Sequence, residues 1–349
     1  MPSTRRKTGL FGWVQRIALA LGVMVVLTIA IGAAYEAWVR STLPARFPAP
    51  GRLVDVGGGR RIHIDCRGVG SPTVVLQSGL DANGSLAWSR VREPITAVTR
   101  TCAYDRAGIM WSDPAAGPHG ARLATSDLHA ALAAAGERAP LVLVGHSLGG
   151  PLIMDYVHRY PADVAGVVLV DASHPDQVRR FRAAGLPYAL PATGPLKLLA
   201  ALSWTGWTRL PVGGALANLP PAAARAGAAW QFRSMGAALA ELDALEIILA
   251  QGGTLRSLGP RPFGARPLVV LTAMKPATAA TLKSQKLTAA QGALMQATWK
   301  SMQDDEASWS TRSRHVIAPD STHYIQLDRP DLVVAAVTDV VGQVRSGVH

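Results

Sequence analysis

Residues 141–150 read LVLVGHSLGG, an apolar run followed by a glycine-rich turn. Four branched apolar residues in a row are typical of a strand that is buried on both faces. The strand then breaks into Gly-His-Ser-Leu-Gly, which fits the G-x-S-x-G pattern of a sharp strand-to-helix turn. Glycine is expected at Gly145 and Gly149 because a Cβ would crowd the turn, and at Gly150 because the helix must approach the strand. The pattern predicts that Ser147 lies exposed at a helix N-terminus, where backbone amides favour negative charge.

Strands and helices alternate on both sides of this turn. Apolar runs bounded by turn residues predict strands at 53–56, 61–66, 73–77, 101–105, 166–171, 267–273 and 315–318. Helices are predicted around 87–98, over 152–160, over 241–249 and over 331–344. Such alternation favours a mostly parallel sheet with helices on both faces.

The Gly-His-Ser-Leu-Gly turn, in this strand and helix context, resembles the α/β-hydrolase superfamily of serine hydrolases and esterases. The resemblance covers roughly residues 52–345. It implies the α/β-hydrolase fold, a mostly parallel twisted sheet flanked by helices and covered by a helical cap. It also implies that Ser147 is the nucleophile.

A serine hydroxyl is a weak nucleophile and needs a base within hydrogen-bond reach. The family order Ser, then Asp or Glu, then His matches His323, which follows the last predicted strand. Most relatives carry the acid after the strand at 268–273, but here that strand continues Met-Lys-Pro-Ala-Thr without a carboxylate. Some members place the acid one strand earlier, and Asp171 matches that position. The other candidates for the acid are Asp176, Asp304, Asp305 and Asp320.

The loop after the third predicted strand reads Gln-Ser-Gly-Leu over 77–80, where relatives often carry His-Gly. Acyl transfer needs donors aimed at the developing oxyanion. The resemblance assigns this role to the backbone amides of Leu80 and Leu148. Asp105 and Arg106 resemble the family's D-R-x-G segment and are interpreted as structural, forming a partly buried ion pair.

The chain has two cysteines, Cys66 and Cys102. In α/β hydrolases the first strands are shuffled in the sheet, and the resemblance places the strands of these two residues side by side. A disulfide between them is then possible in an extracytoplasmic compartment. The alternative is two buried free thiols.

The N-terminus carries Arg5, Arg6, Lys7 and Arg16, followed by an uncharged run from 17 to 35. At about 1.5 Å per residue this run nearly spans a bilayer core. We predict a cytoplasmic basic tail over 1–16 and an uncleaved transmembrane signal anchor over 17–38. The catalytic domain would then be periplasmic or on the cell surface. The alternatives are a cleaved signal peptide, which would make the protein secreted, and a buried helix.

The remaining boundaries follow from composition. Residues 39–51 are proline-rich and predicted as a linker, 52–174 as the first part of the hydrolase core, 175–265 as a helical cap and 266–349 as the second part of the core. The net charge is +12, but the basic residues are scattered, so nucleic acid is not an expected partner. The patterns H-E-x-x-H and C-x-x-C are absent from the sequence, and we expect neither a metal nor another cofactor.

The sequence therefore predicts a membrane-anchored serine hydrolase that cleaves carboxylic esters through Ser147, His323 and Asp171. An apolar cap favours a small-molecule substrate with an apolar acyl or aryl part. A serine nucleophile argues against epoxide and haloalkane hydrolases of this fold, which use aspartate. Acyltransferase, lipase, cofactor-free haloperoxidase and C–C hydrolase activities share the same triad and stay open. The alternative of another class is a non-catalytic binding protein of this fold at the membrane.

Overall fold

The computed structural model describes residues 9–187, 193–206 and 218–347. The strands are β1 (Arg52–Asp55), β2 (Arg61–Arg67), β3 (Thr73–Gln77), β4 (Thr101–Tyr104), β5 (Leu141–His146), β6 (Val164–Val170), β7 (Leu268–Ala273) and β8 (Ser313–Ala318). The helices are α1 (Leu10–Arg46), α2 (Arg92–Thr96), α3 (Ala121–Ala135), α4 (Gly149–Arg159), α5 (Gln177–Ala183), α6 (Gly194–Ala201), α7 (Pro221–Asp243), α8 (Leu245–Gly253), α9 (Ala279–Ser284), α10 (Ala289–Ala307), α11 (Ile325–Asp328) and α12 (Pro330–Arg345). Short 3-10 turns lie at Gly84–Trp88, Leu202–Thr205 and Thr254–Leu258.

These elements form two compact units. The first contains residues from 1–48 and 195–213, and the second contains residues from 49–194 and 214–349. The predicted cap, 175–265, is therefore divided between them, and its described part is built from α5 to α8 with two of the 3-10 turns. Residues 1–8 of the predicted basic tail, and residues 188–192 and 207–217 of the predicted cap, lie outside the described residues.

The second unit is built on an eight-stranded sheet in the order β1-β2-β4-β3-β5-β6-β7-β8. β2 is antiparallel to β1 and β4, and all other neighbours are parallel. Side chains of β5 alternate between two apolar clusters. Leu141 and Leu143 pack with α3 and α4, whereas Val142 and Val144 pack with α12 on the other face. This double burial confirms the prediction of a mostly parallel sheet with helices on both faces.

The sheet order explains the pairing of the two cysteines. Because β2 neighbours β4, Cys66 lies opposite Cys102 in the antiparallel register. The two residues form a disulfide, as the resemblance implied.

Helix α1 dominates the first unit. It is the one helix of the described residues that is long and apolar enough to cross a membrane, with a span of Gly12–Arg46 and a mean hydropathy of 2.6 in an 18-residue window. The helix runs to Arg46 and contains Pro44, so the beginning of the predicted linker is helical. Pro44 has no backbone N–H, so the helix loses one hydrogen bond close to its C-terminal end.

Two helical regions differ from the sequence prediction. The helix predicted over 241–249 is two helices, because α7 ends at Asp243 and α8 begins at Leu245. Between β7 and β8, where no helix was predicted, the chain forms α9 and α10. Both corrections concern helices that contribute to the site described below.

Candidate active site

Ser147 occupies the turn between β5 and α4 with a φ of +51°. This left-handed conformation costs a non-glycine residue roughly 1–2 kcal/mol, so the surroundings must hold it in place. The carbonyl of Ser147 accepts hydrogen bonds from the backbone N–H groups of Gly150 and Ser173, each at 2.9 Å. The turn is therefore fixed both to the following helix and to the loop after β6.

The glycines around the serine are required by space, as predicted. A Cβ at Gly145 would lie 2.7 Å from the carbonyl oxygen of Gly149, and a Cβ at Gly149 would lie 2.4 Å from that of Gln77. At Gly150 it would lie 2.6 Å from the Cβ of Ala172. These close approaches allow α4 to start directly beside the strand.

His323 and Asp171 meet at the carboxyl ends of the parallel strands. Asp171 follows β6 and His323 follows β8, and Nδ1 of His323 lies 2.6 Å from Oδ2 of Asp171. A carboxylate can only accept, so Nδ1 carries the proton and donates it, which leaves the lone pair on Nε2. His323 is in the tautomer that a general base requires.

The second carboxylate oxygen of Asp171 is held by two further donors. The backbone N–H of Ala273 donates to Oδ1 at 2.9 Å, and the indole Nε1–H of Trp299 donates to it at 2.8 Å. Trp299 comes from α10, and sequence reasoning missed both. The available signal was the capping box formed by Thr288 and Gln291, which marks the start of that helix.

The other four aspartates considered for the acid are paired elsewhere. Their basic partners are Arg256 for Asp176, Lys300 for Asp304, Arg180 for Asp305 and Arg329 for Asp320. In the described part of the chain none of the four is hydrogen-bonded to His323. Asp171 is thus the carboxylate that the fold brings to this histidine.

The loop at 78–80 runs directly against the serine. A Cβ at Gly79 would lie 2.9 Å from the Cβ of Ser147. Leu148 follows the serine as the N-cap of α4, and Leu80 follows Gly79. Within the described residues, the backbone N–H groups of Leu80 and Leu148 donate to no protein acceptor. Neither predicted oxyanion donor is therefore used by a hydrogen bond within the described fold.

Arg106 binds the backbone of the loop at 78–80. Its guanidinium donates to the carbonyls of Ser78 and Gly79, each at 2.7 Å, and forms a bidentate pair with Glu241 of α7. Arg106 is 3% exposed. The predicted ion pair between Asp105 and Arg106 is wrong, because Asp105 instead accepts from His63 at 2.7 Å, deep in the core.

His146, next to the serine, does not line the cavity described below, but it has a role that sequence reasoning missed. Its Nε2–H donates to the backbone carbonyl of His323 at 2.9 Å. Burial lowers the pKa of His146 well below its usual range, so the ring is neutral. It therefore fixes the loop that carries His323 without adding charge.

Ser147, Asp171 and His323 line one cavity of about 450 Å³. Its apolar wall is formed by Phe181, Leu282, Leu287, Met295 and Trp299, and its polar groups include Gln177, Gln285, Gln296 and Lys275. Most of these residues come from α9, α10 and their flanking loops. The predicted cap supplies Gln177 and Phe181 to this wall.

One grouping in the described residues has the spacing of metal ligands: Cys66, Cys102 and Glu137. The two sulfurs are joined in a disulfide and offer no thiolate. None of the three residues lines the cavity.

A buried carboxyl group, that of Glu306, lies close enough to Asp171 to interact with its charge. Glu306 of α10 is 0% exposed, and neither of its carboxylate oxygens has a hydrogen-bond partner. Burial raises the pKa of Glu306 well above its usual range, and the nearby carboxylates of Asp305 and Asp171 raise it further. Glu306 therefore keeps its proton at a pH where an exposed glutamate has lost it.

Replacing Glu306 with glutamine is expected to stabilise the protein increasingly as the pH rises. The folded state binds this proton more tightly than the unfolded chain, so wild-type stability falls above the ordinary glutamate pKa of about 4.3. Glutamine never ionises, so the difference in unfolding free energy should widen by up to about 1.4 kcal/mol per pH unit until the folded-state pKa is reached. Denaturant unfolding of the wild type and the variant, repeated from acid to neutral pH, measures this difference in unfolding free energy. A difference independent of pH would contradict the buried, protonated state.

The family model for the alpha/beta hydrolase fold matches residues 72–193. A probable hydrolytic enzyme from Pseudomonas aeruginosa is similar in structure, with a TM-score of 0.59 and 18% identity over 84% of this chain and 95% of that one. A thermophilic esterase from Thermogutta terrifontis has a TM-score of 0.51 and 17% identity over 84% of this chain and 97% of that one. At this identity the likeness concerns the fold.

Two curated proteins resemble part of the sequence. A probable transporter from Hormonema carpetanum is 32% identical over 35% of this chain and 18% of its own length. An uncharacterized protein from Bacillus subtilis is 22% identical over 49% of this chain and 52% of its own length. The chain thus spans about half or less of the length of these relatives.

Proposed function

The chain has the α/β-hydrolase fold, and from that premise we propose that it is a serine hydrolase that cleaves carboxylic esters. The observation that carries the proposal is the hydrogen bond from His323 Nδ1 to Asp171 Oδ2 on the wall of the cavity that Ser147 also lines. A serine on a strained turn beside an oriented imidazole is the arrangement that nucleophilic catalysis needs.

In the proposed reaction Ser147 Oγ attacks the ester carbonyl while Nε2 of His323 takes its proton. The amides of Leu148 and Leu80 stabilise the negative charge on the carbonyl oxygen. The imidazolium then protonates the departing alcohol, and an acyl-enzyme remains on Ser147. Water attacks the acyl group with the same base, which releases the carboxylic acid and restores the serine.

The cavity supports an ester with an apolar acyl or aryl part. The rings of Phe181 and Trp299 are nearly parallel, with an angle of 7° between their planes, and together they form a flat apolar wall. The glutamines and Lys275 around the same space can bind polar atoms of the substrate. A mixed wall of this kind suits an ester with one apolar and one polar end.

We also propose that α1 anchors the protein in a membrane with the hydrolase unit on the extracytoplasmic side. The exposed apolar surface of α1 and the basic residues before it support this orientation. The Cys66–Cys102 disulfide is consistent with an oxidising compartment.

Fluorophosphonate labelling of the full-length protein in detergent tests the proposed chemistry. We expect a single phosphonyl adduct on Ser147, located by mass spectrometry. The adduct should be lost in His323→Ala and retained in Ser173→Ala, which changes another serine of the same cavity. An unlabelled Ser147 in protein that keeps its circular dichroism spectrum would contradict a serine hydrolase and favour a non-catalytic binding protein.

A further inference from the structure

The first unit has a cluster of exposed apolar side chains outside α1. Leu198, Leu199, Leu202 and Trp204 are 62%, 46%, 41% and 52% exposed. They belong to α6 and the 3-10 turn that follows it, a segment in which Lys197 is the one charged residue of 194–206. Large apolar residues that cluster at a surface usually mark an interaction site.

The same segment packs against α1 within this unit. The guanidinium of Arg40 donates to Ser203 Oγ at 3.0 Å. At Gly206 a Cβ would lie 2.8 Å from the carbonyl oxygen of Gly32, so the two backbones touch. The 3-10 turn therefore lies beside α1 from about Gly32 to Arg40.

The position along α1 gives the depth of these contacts if α1 spans the bilayer. Counted from Ile17, the first residue after Arg16, Gly32 lies about 22 Å along the helix and Arg40 about 34 Å. The hydrocarbon core is about 30 Å thick. Gly32 thus falls inside the outer part of the core, whereas Arg40 falls just outside it.

We propose that residues 194–206 form a second membrane-embedded element, which inserts into the outer leaflet beside α1 and places Leu198, Leu199, Leu202 and Trp204 in lipid. The proposal rests on the proposed anchor. Lipid is the occupant that the position indicates, because the 3-10 turn that carries Leu202 and Trp204 packs against α1, and Gly206 meets Gly32 at a depth where water is absent. Trp204 at this level agrees with the preference of tryptophan for the membrane interface.

The chain connects this element to the cavity. Residues 194–206 lie between α5, which supplies Gln177 and Phe181 to the cavity wall, and α7, which carries the Glu241 partner of Arg106. The proposed element is thus linked in sequence to two helices that contribute to the candidate site.

The test uses the full-length protein in lipid nanodiscs with one added cysteine bearing an environment-sensitive dye, since both native cysteines are in the disulfide. The test position is Leu202→Cys. Val25→Cys, in the middle of α1, is the positive control, and Ala45→Cys, about 42 Å along the helix and beyond the core, is the negative control. All three side chains are exposed in the structure.

With doxyl groups on the acyl chains of the lipid, we expect the dyes at 25 and 202 to shift to the blue and lose most of their emission. The dye at 45 should keep its emission. If position 25 is quenched and position 202 is not, the embedded segment is wrong and the anchor stands. If neither is quenched, the anchor fails and this inference fails with it. Fluorophosphonate labelling of Ser147 is independent of both outcomes.

Discussion

Replacing Asp171 with asparagine is expected to lower kcat for an aryl ester by about 10⁴-fold, the size of effect seen when the triad acid loses its charge. The structure gives the reason. Oδ1 of residue 171 accepts from Ala273 N and Trp299 Nε1, so the asparagine oxygen will stay at that position. The amide nitrogen then faces His323 and can only donate, which forces the proton from Nδ1 to Nε2. The imidazole is left in the tautomer that cannot accept the proton of Ser147.

Asp320→Asn is the control for this prediction. Asp320 was another candidate for the acid, but it lies on the surface and pairs with Arg329. We expect kcat to stay at the wild-type value in this variant. Steady-state kinetics on both variants test whether Asp171 is the acid. Near-ultraviolet circular dichroism checks that both variants are folded. Wild-type kcat in Asp171→Asn would mean that Asp171 is not the acid.

The candidate nucleophile Ser147 and the candidate base His323 could be predicted because each depends on local sequence and chain order. Ser147 sits in a contiguous motif whose glycines are required by contacts within the turn and its neighbouring loop. Asp171 could be predicted because it matches the position that some members of the resembled family use for the acid, and residues that end neighbouring parallel strands face the same sheet edge. In the strand order of the sheet, β6 lies between β5 and β7, and this position brings Asp171 near both Ser147 and Ala273.

The supporting residues could not be predicted because their partners are remote in sequence. Trp299 is 128 residues from Asp171, and Glu241 is 135 residues from Arg106. Helix α10 itself gave no clear apolar periodicity. Its buried residues are Met302, Gln303 and Glu306, and two of these three are polar. A helix that buries polar groups shows no apolar periodicity, so the capping box of Thr288 and Gln291 was the remaining signal for it in the sequence.

Replacing Glu241 with glutamine is expected to lower the free energy of unfolding by about 3–5 kcal/mol. Glu241 and Arg106 are 3% exposed each, and their pair is bidentate with N–O distances of 2.6 and 2.7 Å. Glutamine removes the carboxylate that pairs with the buried guanidinium, and removal of one member of a buried pair costs far more than the pair itself contributes. Because Arg106 also holds the carbonyls of Ser78 and Gly79, we expect kcat to fall together with stability.

Glu246→Gln is the matched control on the adjacent helix. Glu246 also pairs with an arginine, Arg182, but the two side chains are 54% and 60% exposed. Water screens such a pair, so its loss should cost less than about 1 kcal/mol and leave kcat unchanged. Denaturant unfolding and ester kinetics on both variants test the contrast. Equal losses of stability would mean that the Arg106–Glu241 pair is hydrated. A hydrated pair could not hold the loop at 78–80 in a fixed position.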